Sequence, residues 1–157
     1  MRKRLIPSFA SIASLSDEGC LDLDRVSSVK VTSEEKDYGI EYALVSGETR
    51  GWRAATPGTQ TIRLIFDQPQ KLSRVLLVFE ENETKRTQEF VLRWSPDGGH
   101  SFREIVRQQW NFSPPETIRE NEEYQVELAG VTVLELMIVP DISGGTARAS
   151  LKSLRLC

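Results

Sequence analysis

Residues Phe90 to Val106 constrain the fold more than any other stretch of this chain. Phe90, Leu92 and Trp94 recur at every second position, the period of a strand with one face buried. Pro96-Asp97-Gly98-Gly99 then supplies a turn, because proline presets φ and glycine tolerates positive φ. Phe102, Glu104 and Val106 are expected on one side of a second strand, with Arg103 and Ile105 on the other. The segment reads as a β-hairpin.

The same grammar extends along the chain. Val26, Val29 and Val31 open a strand that ends in the charged turn Glu34-Glu35-Lys36-Asp37, and Tyr42 to Val45 is expected as a further short strand. Ile62, Leu64 and Phe66 alternate until Asp67-Gln68-Pro69 breaks the strand. Leu72 to Phe79 is nearly continuously apolar, as in a strand covered on both faces, and Glu80-Glu81-Asn82-Glu83 closes it. Tyr124, Val126 and Leu128 alternate, Ala129-Gly130 turns, and Val131 to Pro140 and Ala147 to Leu156 follow as strands. Eight or nine short strands without a long amphipathic helix predict an antiparallel sandwich or barrel. At 157 residues, one domain is expected, an arm over 1–24 and a β-sandwich over 25–157.

A net charge of −3 offers no global field for nucleic acid, which makes that partner unlikely on charge grounds. No apolar run is long enough to span a bilayer as a helix. Met1-Arg2-Lys3-Arg4 is basic, but the following Ser8 to Leu15 is short and broken by serines. It makes a weak h-region, so a cytoplasmic location is expected. Ser16-Asp17-Glu18 has the composition of a helix cap. Cys20 and Cys157 stand near the two ends. Two free thiols in a reducing compartment are expected, a disulfide being the other option.

Catalytic signatures are missing. His100, the only histidine, follows a Gly-Gly turn, and no Gly-x-Ser-x-Gly elbow, P-loop or Gly-x-Gly-x-x-Gly run occurs. Two distant cysteines and one histidine make no zinc site. Glu120, Glu122 and Glu123 cluster before a strand and read as a solvated loop rather than a glycosidase pair. The chain is not expected to be an enzyme or to carry a cofactor.

The hairpin at Phe90 to Val106, with its strand, Ser-x-Asp-Gly, aromatic, strand order, resembles the signature of discoidin-like (galactose-binding-like) jelly-roll domains. Gly51-Trp52-Arg53-Ala54 before the Gln60 to Phe66 strand resembles that family's Trp segment. Lys71 to Val75, Leu134 to Ile138 and Leu151 to Leu156 resemble later strands, the first of which crosses to the opposite sheet. Ser46-Gly47-Glu48-Thr49-Arg50 stands where the family often has an Asp-rich stretch linked to structural calcium, so no metal is expected. The resemblance implies an all-β jelly-roll sandwich that binds sugars, lipids, proteins or DNA-repair partners through variable loops.

Two segments are candidates for binding. Arg107-Gln108-Gln109-Trp110-Asn111-Phe112-Ser113-Pro114-Pro115 combines aromatic faces suited to sugar rings with side chains suited to hydroxyls. From it Arg107, Gln109, Trp110, Asn111 and Phe112 are the expected ligand contacts; the other reading buries Trp110 and Phe112 as a strand end. Trp52 with Arg53, flanked by Arg50, has the makings of a grip on a planar or anionic ligand, or of a sandwich-end plug. Arg86, in the Lys85-Arg86-Thr87 loop, completes the set. A non-catalytic carbohydrate-binding module is the expected function. An intracellular protein-interaction or DNA-repair-type scaffold is the alternative, with a protein as partner; the oligomeric state is left open.

Overall fold

The computed structural model describes residues 19–157. Met1 to Arg4, Ser8 to Leu15 and Ser16-Asp17-Glu18 lie outside the described residues. In chain order the elements are α1 (Leu23–Val26), β1 (Ser27–Val31), α2 (Glu41–Leu44), β2 (Trp52–Arg53), β3 (Gln60–Glu80), β4 (Arg86–Ser95), β5 (Arg103–Phe112), β6 (Arg119–Val139), β7 (Ser150–Leu151) and β8 (Ser153–Leu156).

The framework is a ribbon of two 21-residue strands, β3 and β6, antiparallel from Gln60↔Ile138 to Glu80↔Arg119. Register shifts between Ile65 and Arg74 mark where it bends, and Pro69, which cannot donate to a ladder, sits there. The break expected at Asp67-Gln68-Pro69 is therefore a bend within one strand. Beyond it, the two halves of the ribbon belong to opposite layers. The first half of β3 lies between β1 and the second half of β6, and β4 and β5 continue that layer. The second half of β3 pairs with β8 and with the first half of β6. The layers meet face to face: the rings of Phe79 on β3 and Phe90 on β4 are 5.1 Å apart. This is the antiparallel β-sandwich expected from the alternation.

One apolar core fills the space between the layers. It takes Ile62, Leu64, Leu72, Leu77 and Phe79 from β3, Phe90 and Leu92 from β4, and Leu134, Leu136 and Ile138 from β6. Leu72 to Phe79 is not covered on both faces: Leu72, Val75, Leu77 and Phe79 are buried while Leu76 and Val78 remain half-buried. The expected strand at Tyr42 is instead α2. Ile40, which precedes it, and its Ala43 and Leu44 are spaced for one helix face, and all three are buried.

Cys20 and Cys157 are joined in a disulfide across 137 residues, which corrects the expectation of two free thiols. The Leu21 N–H donates to the Leu156 carbonyl, so the disulfide ties the start of the described chain to β8. The expected hairpin is β4–β5. An irregularity opposite Leu92/Arg93 pairs Val106 with Leu92 and Glu104 with Arg93, so Val106 and Glu104 face opposite ways rather than together. Phe102 lies on the outer face, where the guanidiniums of Arg93 and Arg63 stand 4.1 and 5.6 Å from its ring centre. The turn is held by Asp97, which accepts from the Ser95 and Ser101 hydroxyls and from the Ser101 N–H. Those Ser101 and Ser95 bonds hold its carboxyl well below the usual carboxylate range.

Candidate functional site

Because the ribbon folds over, its two tips lie at the same end of the sandwich, away from the bend. The connections 54–59, 81–85, 113–118 and 140–149 gather there and are laced together. Glu81 N–H donates to the Ile118 carbonyl, Ile142 N–H to that of Thr87, and Gly58 N–H to that of Ala147. The Ser150 hydroxyl donates to the Glu80 carbonyl. Arg86, expected in a loop, is instead the first residue of β4 and 3% exposed. Its guanidinium donates to Glu81 (2.7 Å), to the Pro140 carbonyl (2.7 Å) and to Gln88 (3.3 Å). It also lies 4.9 Å from the Phe112 ring centre. Arg86 fastens the rim from below and offers no free face to a ligand. Burial alone raises the Glu81 carboxyl, but Arg86 and the Glu83 and Thr84 N–H groups outweigh that and hold it below its ordinary value.

Two adjoining recesses open at this end, of about 330 and 280 Å³. They share Arg53, Glu80, Asn82 and Ser150 and so form one groove. One half continues to Thr84, Thr146 and Arg148, the other to Tyr38, Arg50 and Lys152. The Arg53 guanidinium lies over the Tyr38 ring, 4.2 Å from its centre, and faces Glu35 at 3.7 Å. Arg50 lies on Tyr42 at 4.4 Å and donates to the Asp37 carbonyl. The position of β2 depends on Gly51, whose φ is +77° and whose Cβ, if it had one, would stand 2.9 Å from the Leu151 carbonyl oxygen.

The residues expected to bind are divided among three places. Trp52 is 1% exposed and donates its indole N–H to the Ser33 carbonyl; it plugs the end of the sandwich beneath the groove that Arg53 lines. Arg107 to Phe112 is the second half of β5 and not a loop, so its alternation separates what the composition joins. Phe112, fully buried, and Trp110, half-buried, point inward, whereas Arg107, Gln109 and Asn111 point outward. Arg107 faces Glu89 and Glu104, and Asn111 accepts from Thr87. Neither Trp52 nor Phe112 has an accessible ring face. Of the predicted set, only Arg53 and the buried Trp52 border the groove.

The groove residues Glu80, Asn82, Thr84, Thr146, Arg148 and Lys152 were not singled out from the sequence. The available signal was their placement in the polar connections on either side of strong strands, where a sandwich collects its loops. The glutamates read as a solvated loop are also elsewhere. Glu120, Glu122 and Glu123 belong to β6, and Glu120 is fully buried beside Gln88. His100 is exposed in the β4–β5 turn at the bend, the end opposite the groove.

No protein-family model matches the chain, and no curated protein matches it in sequence. Solved structures match its fold. The family 32 carbohydrate-binding module of Clostridium perfringens NanJ, in complex with galactose, superposes with a TM-score of 0.63 at 11% identity, covering 87% of this chain and 96% of that one. A second C. perfringens module, CpGH89CBM32-5 in complex with GalNAc-β-1,3-galactose, gives 0.63 at 19% identity, covering 87% and 98%. The family 32 module of AlyQ, in complex with 4,5-unsaturated mannuronic acid, gives 0.62 at 12%, covering 84% and 95%. The chain therefore has the galactose-binding-like, or discoidin-like, β-sandwich fold of such modules, as its hairpin led us to expect.

Proposed function

We propose that this chain is a non-catalytic carbohydrate-binding module whose ligand lies in the groove between the 81–85 and 146–152 segments. The observation that carries the reading is the groove's lining. Sugar hydroxyls both donate and accept, and this surface offers both: guanidiniums from Arg53 and Arg148, a carboxylate from Glu80, an amide from Asn82, and hydroxyls from Thr84 and Thr146. The rim is pre-ordered by the Arg86–Glu81 pair and the bonds between loops, which lowers the entropy lost on binding. The fold supports the reading, since solved modules of this shape hold sugars. The disulfide supports a place of work in an oxidising compartment, where such bonds persist.

Titration calorimetry tests this with a panel of mono- and oligosaccharides on wild type, Asn82→Ala and Arg53→Ala. Saturable binding by wild type, weakened by roughly tenfold in either variant as one or two hydrogen bonds are lost, is the expected outcome. Folded protein that binds no sugar, or variants that bind as wild type does, would overturn the assignment.

A further inference from the structure

We infer that the glycan held in this groove is acidic, and that Arg148 and Lys152 each take one of its carboxylates. The inference rests on the carbohydrate reading and adds the charge and length of the ligand. It comes from asking which charges in the groove are already used. Four cations line it, Arg50, Arg53, Arg148 and Lys152, against three carboxylates, Glu80, Glu81 and Glu83. Two of the carboxylates are occupied. Glu81 is bonded to Arg86, and Glu80 accepts from Asn82 and faces Arg119 at 3.7 Å. Arg53 and Arg50 are steadied on tyrosine rings and engaged with Glu35 and the Asp37 carbonyl. Among the described residues Arg148 and Lys152 have no ion-pair partner. The uncommitted charge is therefore mainly positive, although the chain as a whole carries −3.

A neutral sugar uses none of that charge. A carboxylate would convert each free cation into a charge-assisted contact, shorter and stronger than a neutral hydrogen bond. The two cations stand in different halves of the groove, Arg148 in one recess and Lys152 in the other, with Arg53 and Asn82 shared between them. This arrangement suits a run of uronic acid residues, with one carboxylate at each recess. A single acidic ring would satisfy only one of them.

Removing the carboxylate charge while keeping the ring tests the inference. Trigalacturonate and trimannuronate are each titrated against their methyl esters, on wild type, Arg148→Gln and Lys152→Gln, all verified as folded by near-UV circular dichroism. The expected result is that one or both acids bind roughly tenfold or more tightly than their esters. That preference should shrink in each variant and as salt is raised. Equal binding of acid and ester, or a neutral oligosaccharide bound in preference to both acids, would overturn the acidic-ligand inference and leave the carbohydrate reading standing. An acid preference that survives in both variants would overturn the roles of Arg148 and Lys152. Failure of folded protein to bind any glycan would overturn both readings.

Discussion

Glu120 is the residue with the most unusual surroundings. It is fully buried between the layers, and one carboxylate oxygen takes a hydrogen bond from Gln88 at 3.3 Å. Burial, then the hydrogen bond and charge of Glu122, push it up to about 8, against smaller opposing effects of Gln88 and Arg86. Tyr124 donates to Glu122, and its own hydroxyl is raised by burial and by that neighbour. A carboxyl raised in the folded state binds more protons there than in the unfolded chain over the interval between 4.5 and about 8. Its contribution to stability is thus complete below that interval and is lost as pH rises through it. Glu120→Gln should flatten this fall and make the protein more stable than wild type at pH 8. Urea midpoints at pH 5 and pH 8 check it, and an unchanged difference between the two would contradict it. Arg86 stands on the opposite side of the ledger. Arg86→Ala should cost about 3 kcal/mol, the lower end for a broken buried pair because Glu81 keeps some solvent. Neither environment was read from the sequence, where Glu120, Glu122 and Glu123 looked like a solvated run. The signal was present in the phase of Tyr124, Val126 and Leu128, which carried back two and four positions reaches Glu122 and Glu120.

At the scale of elements, β5 shows how composition misleads when periodicity is set aside. Arg107 to Phe112 has the residue types of a sugar site, but a strand sends successive side chains to opposite faces. Trp110 and Phe112 pack on the core, and Arg107, Gln109 and Asn111 face out. Trp110→Ala should therefore destabilise the fold by about 2 kcal/mol or more, below the cost of losing a fully buried aromatic, and leave glycan affinity as in wild type. Loss of binding in a folded Trp110→Ala protein would return the site to β5. Elsewhere the alternation was sufficient. β4, the first half of β3 and the first half of β6 were legible because Phe90, Leu92 and Trp94, then Ile62, Leu64 and Phe66, then Tyr124, Val126 and Leu128 recur at every second position. α2 was not, since a single turn carries too few apolar positions to separate a helix from a strand.

Across the whole molecule, two features depend on how distant segments meet, and neither is written locally. The first is the groove, whose walls come from residues 38–53, 80–84 and 146–152 and join only when the ribbon folds over. The second is the Cys20–Cys157 disulfide, which closes almost the entire described chain. A cross-link over so long a loop stabilises chiefly by restricting the unfolded state, and its removal should cost about 4–5 kcal/mol. A Cys20→Ser/Cys157→Ser variant should melt at a lower temperature than oxidised wild type, with reduced wild type matching it. Coincident melting of all three would show that the tie adds nothing. The central claim, that the open end of this sandwich holds a glycan, is tested most directly by a two-dimensional NMR titration of the labelled protein with acidic and neutral oligosaccharides. Shifts confined to residues 80–84 and 146–152 and to Arg50 and Arg53, with residues 96–112 silent, are expected. Shifts centred on β5 or on the 96–102 turn, or none with any glycan, would contradict it.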